Sequence, residues 1–277
     1  HHLRAGDSLF GLWVRDAIDK AEARGGGQLL YAKPLREAQS AAAAMQIIER
    51  LTDAEIAEAH QSANTFLGVQ QQVAPLDGFM ALLHALDWLD LKAREDRAAV
   101  RAWLDGVFGN PIDIAQGRAE PILLRDRDNG ERFGAILERA RTLIADERFL
   151  NWEVAFPGVW DEWSSGERRG GFDAVVGNPP WDRIKLQQVE WFAARRPEIA
   201  RATRAADRTR MIAELKAADD PLFADFRLAD ERAAGSLRMA RAGYPLLGRG
   251  DVNLYSLFVE RAQALVKPDG MVGLLVP

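Results

Sequence analysis

Apolar residues recur at intervals of three and four from about residue 34 to residue 107, which is the spacing of amphipathic helices. Strong helix formers dominate this stretch, and Pro75 predicts one break in it. Thr52 and Glu55 have the spacing of a capping box, which predicts a helix start. A further helix is predicted over residues 131–147. Two apolar stripes are predicted to be buried, one made of Ile47, Ile48, Leu51, Ile56 and Ala59 and the other of Phe79, Leu82, Leu83, Leu86, Leu89 and Leu91.

Three short runs have the apolar character of strands. Residues 3–11 predict a strand with a turn at residues 6–8. Residues 172–177 contain two adjacent valines and predict a strand buried on both faces, as in a parallel sheet. Residues 271–276 predict another buried strand, which follows a turn at residues 268–270.

Helical patterns return after the second of these runs. Residues 252–266 predict an amphipathic helix, and the charged region before it predicts helices at residues 189–195, 208–218 and 228–241. Residues 149–163 are rich in aromatic side chains and predict a docked loop or an edge strand.

Strands and helical regions alternate along the chain. Parallel strands need crossover connections, which helices normally supply. We therefore expect an α/β fold in which a sheet carries two large helical insertions; a helical bundle with incidental strands is the alternative. The sheet core is expected at residues 1–11, 149–181 and 249–277, and the helical insertions at residues 12–148 and 182–248.

Composition narrows the class of protein only a little. The 277 residues are 48% hydrophobic and 28% charged, which is ordinary for a soluble globular chain that buries a core. No apolar run approaches the roughly 18 residues of a membrane span. The absence of cysteine excludes disulfides and thiolate metal sites and is compatible with the cytoplasm, where we expect the protein. The four histidines form no metal-ligand pattern.

The net charge of −5 argues against a chain coated with positive charge, but it allows a local basic groove. Arginine clusters occur at Arg168, Arg169, Arg195, Arg196, Arg201, Arg204, Arg208 and Arg210. Such clusters are either solvated helix faces or surfaces that contact phosphates.

The tetrapeptide Asn-Pro-Pro-Trp at residues 178–181 directly follows the predicted strand at residues 172–177. In open α/β sheets, ligands bind at the carboxyl ends of the strands. Two successive prolines fix two φ angles and remove two N–H donors, and each excludes the helical region for the residue before it. The sequence therefore predicts a stiff, extended loop whose carbonyl groups face outward.

Such a loop suits an amino group on a planar ring. The Asn178 side-chain oxygen and the Pro179 carbonyl would each accept a hydrogen bond from the amine, which directs its lone pair at an electrophile. Trp181 would stack on the ring, a contact worth about 1–3 kcal/mol for nucleic-acid bases. A methyl sulfonium needs no general base, so orientation and carbonyl dipoles could supply the acceleration. The alternative interpretation is a rigid strand exit with a buried tryptophan.

Residues 172–181 closely resemble the catalytic motif of the amino-methyltransferases, in which a strand is followed by Asn or Asp, two prolines and an aromatic residue. Three further stretches resemble the large adenine-specific (N6) DNA methyltransferases of restriction-modification and phage-defence systems. Residues 3–11 are similar to their third motif, residues 152–160 to the lead-in to the catalytic strand, and residues 251–277 to the helix and strand after it.

This resemblance implies a partial Rossmann-like sheet of an S-adenosylmethionine-dependent methyltransferase. It implies transfer of a methyl group from S-adenosylmethionine to the exocyclic amine of adenine in double-stranded DNA. Asp7 would contact the adenosyl part of the cofactor, with Ser8 and Asn178 beside the cofactor. The residues implied to hold the target adenine are Asn178, Pro179, Pro180 and Trp181.

One part of the family pattern is not found. The glycine-rich cofactor loop should precede residue 3, and Gly25, Gly26 and Gly27 do not replace it, because helical sequence rather than a strand leads into them. We therefore expect a segment of a longer polypeptide that is inactive by itself and binds the cofactor poorly.

Three alternatives compete with DNA methylation. Protein glutamine N5-methyltransferases use a similar loop for a planar amide nitrogen, but they usually carry tyrosine there and are compact. A non-catalytic helical interaction module would account for the many helices, and an RNA substrate is a weaker option. The long helical insertions favour the DNA enzyme.

Overall fold

The computed structural model describes residues 3–50, 56–124, 126–163 and 169–277. The chain forms two compact units. The first contains His1–Asp173 and Val266–Gly270, and the second contains Ala174–Leu265 and Met271–Pro277. Within the described stretches, no helix combines the length and the apolar character needed to cross a membrane.

Helices make up most of the first unit. They are α1 (Val14–Ala23), α2 (Gln28–Arg50), α3 (Ile56–Trp88), α4 (Arg94–Leu104), α5 (Pro111–Ala115) and α6 (Arg127–Glu147). The long helices α2 and α3 pack along each other, and α3 also contacts α5 and α6. The helix predicted over residues 131–147 is confirmed as α6, which starts earlier because the Asp126 carboxylate accepts the N–H of Asn129 and caps it.

Three aromatic rings fix α4 against α6. The rings of Trp103 and Phe133 are nearly parallel, with centroids 5.4 Å apart, and Phe108 stacks on Phe133 at 5.7 Å. All three side chains are buried. The indole N–H of Trp103 donates to the Pro111 carbonyl at 3.2 Å, so this buried donor is satisfied.

The predicted helix break at Pro75 is wrong, because α3 continues through this residue. Proline removes the hydrogen bond to the carbonyl four residues earlier, and Gln71 at that position is exposed to solvent. Burial of Val73, Leu76 and Phe79 stabilises the helix on both sides of the proline.

The two predicted apolar stripes have different outcomes. The second is largely confirmed, since Phe79, Leu82, Leu83 and Leu86 are buried in α3. The first is wrong for Ile47 and Ile56, which are 59% and 80% exposed, although Ile48 is buried. Helix amphipathicity sets which face an apolar residue occupies but not whether another element covers that face. Leu51, Thr52 and Glu55 lie outside the described residues.

The strand predicted at residues 3–11 is wrong. This segment makes a single parallel bridge, between Asp7 and Phe149. The Asp7 carboxylate accepts the N–H groups of Leu9 and Phe10, at 2.8 and 3.2 Å, which bends the chain away from an extended course. The predicted turn at residues 6–8 agrees with this bend.

The aromatic-rich segment at residues 149–163 contains short elements. These are α7 (Trp152–Ala155) and β1 (Trp160–Glu162), and β1 pairs antiparallel with β2 (Arg169–Gly170). The prediction of a docked loop or an edge strand therefore holds for β1 and misses the single turn of α7.

The strand predicted at residues 172–177 is confirmed as β3 (Phe172–Gly177), which pairs with β4 (Val266–Leu274). A Cβ atom at Gly270 would lie 2.8 Å from the Asp173 carbonyl oxygen, while Gly177 lies next to Leu274. These contacts advance in the same direction along both strands, so the pair is parallel. Residues 268–270 are assigned to β4. A Cβ atom at Gly270 would nevertheless lie 2.6 Å from the Val266 side chain, so the chain bends here as the predicted turn requires.

The prediction that both strands are buried is also wrong. Val176 of β3 is 83% exposed, and Met271 of β4 is 76% exposed. Adjacent apolar residues indicate a preference for burial, but among the described residues each of these strands has one neighbouring strand. The described strands form two two-stranded sheets, so a partial Rossmann-like sheet with helical insertions stays a prediction.

The second unit contains five described helices. They are α8 (Gln188–Ala193), α9 (Pro197–Ala200), α10 (Ala205–Ala217), α11 (Pro221–Gly243) and α12 (Leu254–Leu265). The four predicted helical segments are confirmed with shifted ends as α8, α10, α11 and α12, and α9 was not predicted. A buried cluster holds α8 to α11 together; its members are Phe192, Ile199, Ile212, Leu215 and Phe226.

Candidate active site

The loop of residues 178–181 leaves the carboxyl end of β3 in the second unit. The N–H of Leu275, just after β4, donates to the Gly177 carbonyl at 3.1 Å. This hydrogen bond joins the ends of the two parallel strands at one edge. The loop therefore starts from a fixed position at the edge where ligands bind in open α/β sheets.

The chain after the loop is also anchored. Residues 182–184 run antiparallel to residues 252–254, with a bridge between Arg183 and Asn253. The N–H of Leu254 donates to the Asp182 carbonyl at 2.9 Å, and the N–H of Ile184 donates to the Val252 carbonyl at 3.2 Å. The loop is thus held by hydrogen bonds on both sides.

The four side chains of the loop have different surroundings. Pro179 is buried and packs the loop onto the unit, whereas Asn178 and Pro180 are exposed. The indole N–H of Trp181 donates to the Leu275 carbonyl at 3.3 Å, yet the residue is 54% exposed. One edge of the ring is therefore anchored while much of its surface faces solvent. The alternative interpretation is wrong about the burial of the tryptophan, while its rigid strand exit agrees with the hydrogen bonds on both sides of the loop.

Asn178 makes no side-chain hydrogen bond with any residue that the structure describes. Its amide oxygen can accept a hydrogen bond, and so can the carbonyl oxygen of Pro179. Neither proline of the loop has an N–H group that could occupy these oxygens. An exposed acceptor beside an anchored aromatic ring is suited to a planar group that carries an amine.

Two ion pairs involve residues after the loop and residues of β3 and β4. Arg183 lies 3.4 Å from Asp251, and both are exposed. In the first unit, Lys267 Nζ lies 2.6 Å from the Asp173 carboxylate. The hydrogen bond and charge of Lys267 lower the pKa of Asp173 below its ordinary value, and Asp173 in turn raises the pKa of Lys267.

Asp7 and Ser8 lie in the first unit, in a half-buried bend beside residues 148–151. The Asp7 N–H donates to the Arg148 carbonyl at 2.9 Å, and one oxygen of its carboxylate accepts two N–H groups of its own bend. The Ser8 carbonyl accepts the indole N–H of Trp152 at 3.1 Å. The stretches similar to the third motif and to the lead-in therefore lie together in this unit, and the loop of residues 178–181 belongs to the second.

Two polar residues that the sequence did not single out organise this part of the first unit. Asn151 and Glu153 are each only 1% exposed. The Asn151 amide oxygen accepts the N–H of Leu12 at 2.8 Å, and the Glu153 carboxylate accepts the N–H of Val14 at 2.6 Å, at the start of α1. The pair connects the chain after Asp7 to the lead-in segment. Glu153 lies inside that segment and Asn151 directly before it, and this position was the only available signal.

Two cavities in the described part of the first unit lie away from the residues implied to bind the cofactor there. Two cavities, of about 560 and 530 Å³, lie among helices of the first unit and are not lined by Asp7 or Ser8. Among the described residues, no group of three or more potential ligands could hold a metal ion. The loop of residues 178–181 exposes Asn178, Pro180 and Trp181 to solvent.

The loop at the strand ends carries exposed hydrogen-bond acceptors and an exposed aromatic face, which are groups that can bind an amine on a planar ring. Residues 101–208 match the family model described as Eco57I restriction-modification methylase. The match covers 108 of the 277 residues and includes β3 and the loop of residues 178–181. It supports a DNA methyltransferase role in restriction-modification systems, and methylases of this type generally use S-adenosylmethionine. No curated protein and no solved structure matches the chain.

Proposed function

We propose that the chain carries the catalytic loop of a methyltransferase that modifies the N6 amine of adenine in double-stranded DNA. The observation that carries this proposal is the loop of residues 178–181, in which Asn178 is exposed without a described partner and Trp181 is anchored at one edge. The family match at residues 101–208, which contains the loop, supports the same conclusion.

The loop residues would act by orientation. The Asn178 amide oxygen and the Pro179 carbonyl accept the two hydrogens of the amine, so that its lone pair points away from the loop. The same two oxygens stabilise the positive charge that grows on the nitrogen during transfer. Because both prolines restrict the backbone, these acceptors are set before the base arrives.

The cofactor that this chemistry requires is S-adenosylmethionine, which supplies a methyl group on a positively charged sulfur. Asp7 fits a role in holding it, because a carboxylate is a suitable acceptor for the adenine amine of the cofactor and its orientation is fixed by the N–H groups of Leu9 and Phe10. Ser8, in the same bend as Asp7, would contribute as well.

Adenine in a duplex must leave the base stack before the loop can reach its amine. Extrusion costs a few kcal/mol. Stacking on Trp181 would offset part of that cost, since base–aromatic stacking is worth about 1–3 kcal/mol. The hydrogen bond from the indole N–H to the Leu275 carbonyl keeps the ring in place for this contact.

Methyl transfer from labelled S-adenosylmethionine to an adenine-containing duplex tests the proposal. The full-length protein should place label in N6-methyladenine, and the Asn178→Ala variant should lose this activity while it keeps its fold, since Asn178 is exposed. Asn64→Ala, which alters an exposed asparagine on α3, is the matched control and should remain active.

Each other outcome favours another function. Label in a glutamine side chain of a protein would support a glutamine N5-methyltransferase. Label in RNA would show that RNA, and not DNA, is the substrate. Full DNA methylation by Asn178→Ala would remove the loop from the mechanism. A protein that binds neither cofactor nor DNA would be an interaction module.

A further inference from the structure

Positive charge is concentrated in one segment of the second unit. Residues 195–210 contain six arginines and two acidic residues, a net charge of +4, whereas the whole chain has a net charge of −5. This segment includes α9 and the first part of α10. It belongs to the same compact unit as the loop of residues 178–181.

Four of these arginines are engaged within the protein. Arg195 lies over the Trp191 ring at 4.5 Å, and Arg196 lies 2.7 Å from Asp220. Arg210 lies 3.7 Å from Asp207 and from Glu214, and Arg208 donates to the Ala202 carbonyl at 3.1 Å. Arg195 and Arg196 contact residues outside the segment, whereas Arg208 holds the backbone of the segment itself.

Arg201 and Arg204 differ from these four. Both are exposed, and neither makes an ion pair or a side-chain hydrogen bond with any residue in the described part of the chain. They flank the Ala202 carbonyl that Arg208 fixes, between helices whose Ile199 and Ile212 belong to the buried cluster. Two uncompensated guanidinium groups are therefore presented from a rigid connection.

We propose that the connection between α9 and α10 contacts the phosphate backbone of duplex DNA through Arg201 and Arg204, an inference that rests on the proposed function. Clustered positive charges repel one another unless a partner supplies negative charge. Guanidinium groups match the geometry of phosphate oxygens, and a duplex carries such phosphates at regular spacing. Contacts of this kind position a protein on DNA without reading its sequence.

The salt dependence of DNA binding tests this surface. The dissociation constant of the full-length protein for an adenine-containing duplex is measured between 50 and 200 mM NaCl, and again for the double variant Arg201→Gln/Arg204→Gln. Each lost phosphate contact reduces the slope of log K against log salt by about 0.9, so the double variant should lose about 1.8. The ratio of the affinity of the unaltered protein to that of the double variant should then fall about 12-fold between 50 and 200 mM NaCl.

Two further variants separate contact from fold and from net charge. Arg15→Gln/Arg127→Gln removes the same charge from exposed ion pairs with Asp19 and Glu131 in the first unit, and it should keep the slope. Arg201→Lys/Arg204→Lys keeps the charge and should restore most of the slope. An equal loss of slope in both glutamine double variants would overturn the inference.

The failure of this inference is distinguishable from the failure of the proposed function. DNA methylation that depends on Asn178, together with an unchanged slope in Arg201→Gln/Arg204→Gln, would overturn the contact surface alone. A loss of slope seen with an RNA duplex but not with the DNA duplex would overturn DNA as the partner. Absence of both methylation and DNA binding would overturn both.

Discussion

Trp181 combines an anchored edge with an exposed ring, and these two properties can be separated by substitution. Trp181→Ala removes the stacking surface and should weaken capture of an extruded adenine by about 1–3 kcal/mol. Trp181→Phe keeps an aromatic face and loses only the hydrogen bond to the Leu275 carbonyl, so its effect should be smaller. Binding to a duplex with an unpaired target adenine measures both variants. Equal affinity for Trp181→Ala and the unaltered protein would exclude stacking.

Asn151 allows a prediction about stability. In Asn151→Ala, the buried N–H of Leu12 loses its acceptor, and the hydrogen bond to the Asp77 carboxylate is lost as well. The free energy of unfolding should fall by about 1–3 kcal/mol, as for other unsatisfied buried donors. Chemical denaturation measures the change, with the exposed Asn64→Ala as the near-neutral control. A loss no larger than that of the control would show that water satisfies the Leu12 N–H.

The residues that sequence could predict are those whose chemistry is local. The stiffness of residues 178–181 follows from two adjacent prolines, which need no other part of the chain. Asn151 and Glu153 could not be found in this way, because each bonds to an N–H group 139 residues distant in sequence. Only the folded chain brings these groups together.

At the scale of elements, the ion pair between Lys267 of β4 and Asp173 of β3 makes stability depend on pH. The lowered pKa of Asp173 means that the folded state favours the carboxylate. The stabilising contribution is therefore present above the unfolded pKa of about 3.9, and it is lost as pH falls through the lower folded pKa. The Asp173 side chain is 90% exposed and the Lys267 side chain 33%, so solvent screens the ion pair and the contribution is small.

The Lys267→Met variant tests this assignment. It should return the pKa of Asp173 towards its ordinary value, because the hydrogen bond and the charge of the ammonium are both lost. Titration of the Asp173 carboxyl by NMR measures the shift, and Lys216→Met is a control that alters an exposed lysine of the second unit. An unchanged midpoint in Lys267→Met would mean that another group sets the Asp173 pKa.

Element type was predictable where the apolar period was long, as in α3 and α6, and less so where tertiary contacts decide. Pro75 indicates a break by its own chemistry, but the buried residues around it keep α3 intact. The two valines of β3 predict a strand correctly and its burial wrongly, since coverage of a strand depends on neighbouring elements. Residues 3–11 form a bend and not the predicted strand, because the Asp7 carboxylate accepts the N–H groups of Leu9 and Phe10.

At the scale of the whole molecule, charge is divided unevenly between the two units. The first unit contains 21 Lys and Arg against 29 Asp and Glu, a net charge of −8. The second contains 15 Lys and Arg against 12 Asp and Glu, a net charge of +3. The net charge of −5 therefore conceals a basic unit that also contains the loop of residues 178–181. Electrostatic attraction should direct a polyanion to this unit.

Amide hydrogen exchange of the full-length protein, with and without duplex DNA, tests this distribution. Protection on DNA binding should appear in peptides that cover residues 178–185 and 195–210, because the candidate loop and the unpaired arginines lie there. Peptides from α4 and α6 should exchange at unchanged rates, since the net charge of −8 on their unit as a whole repels the phosphate backbone. Protection confined to α4 and α6 would show that local contacts outweigh the overall charge, and it would place the DNA on the first unit instead.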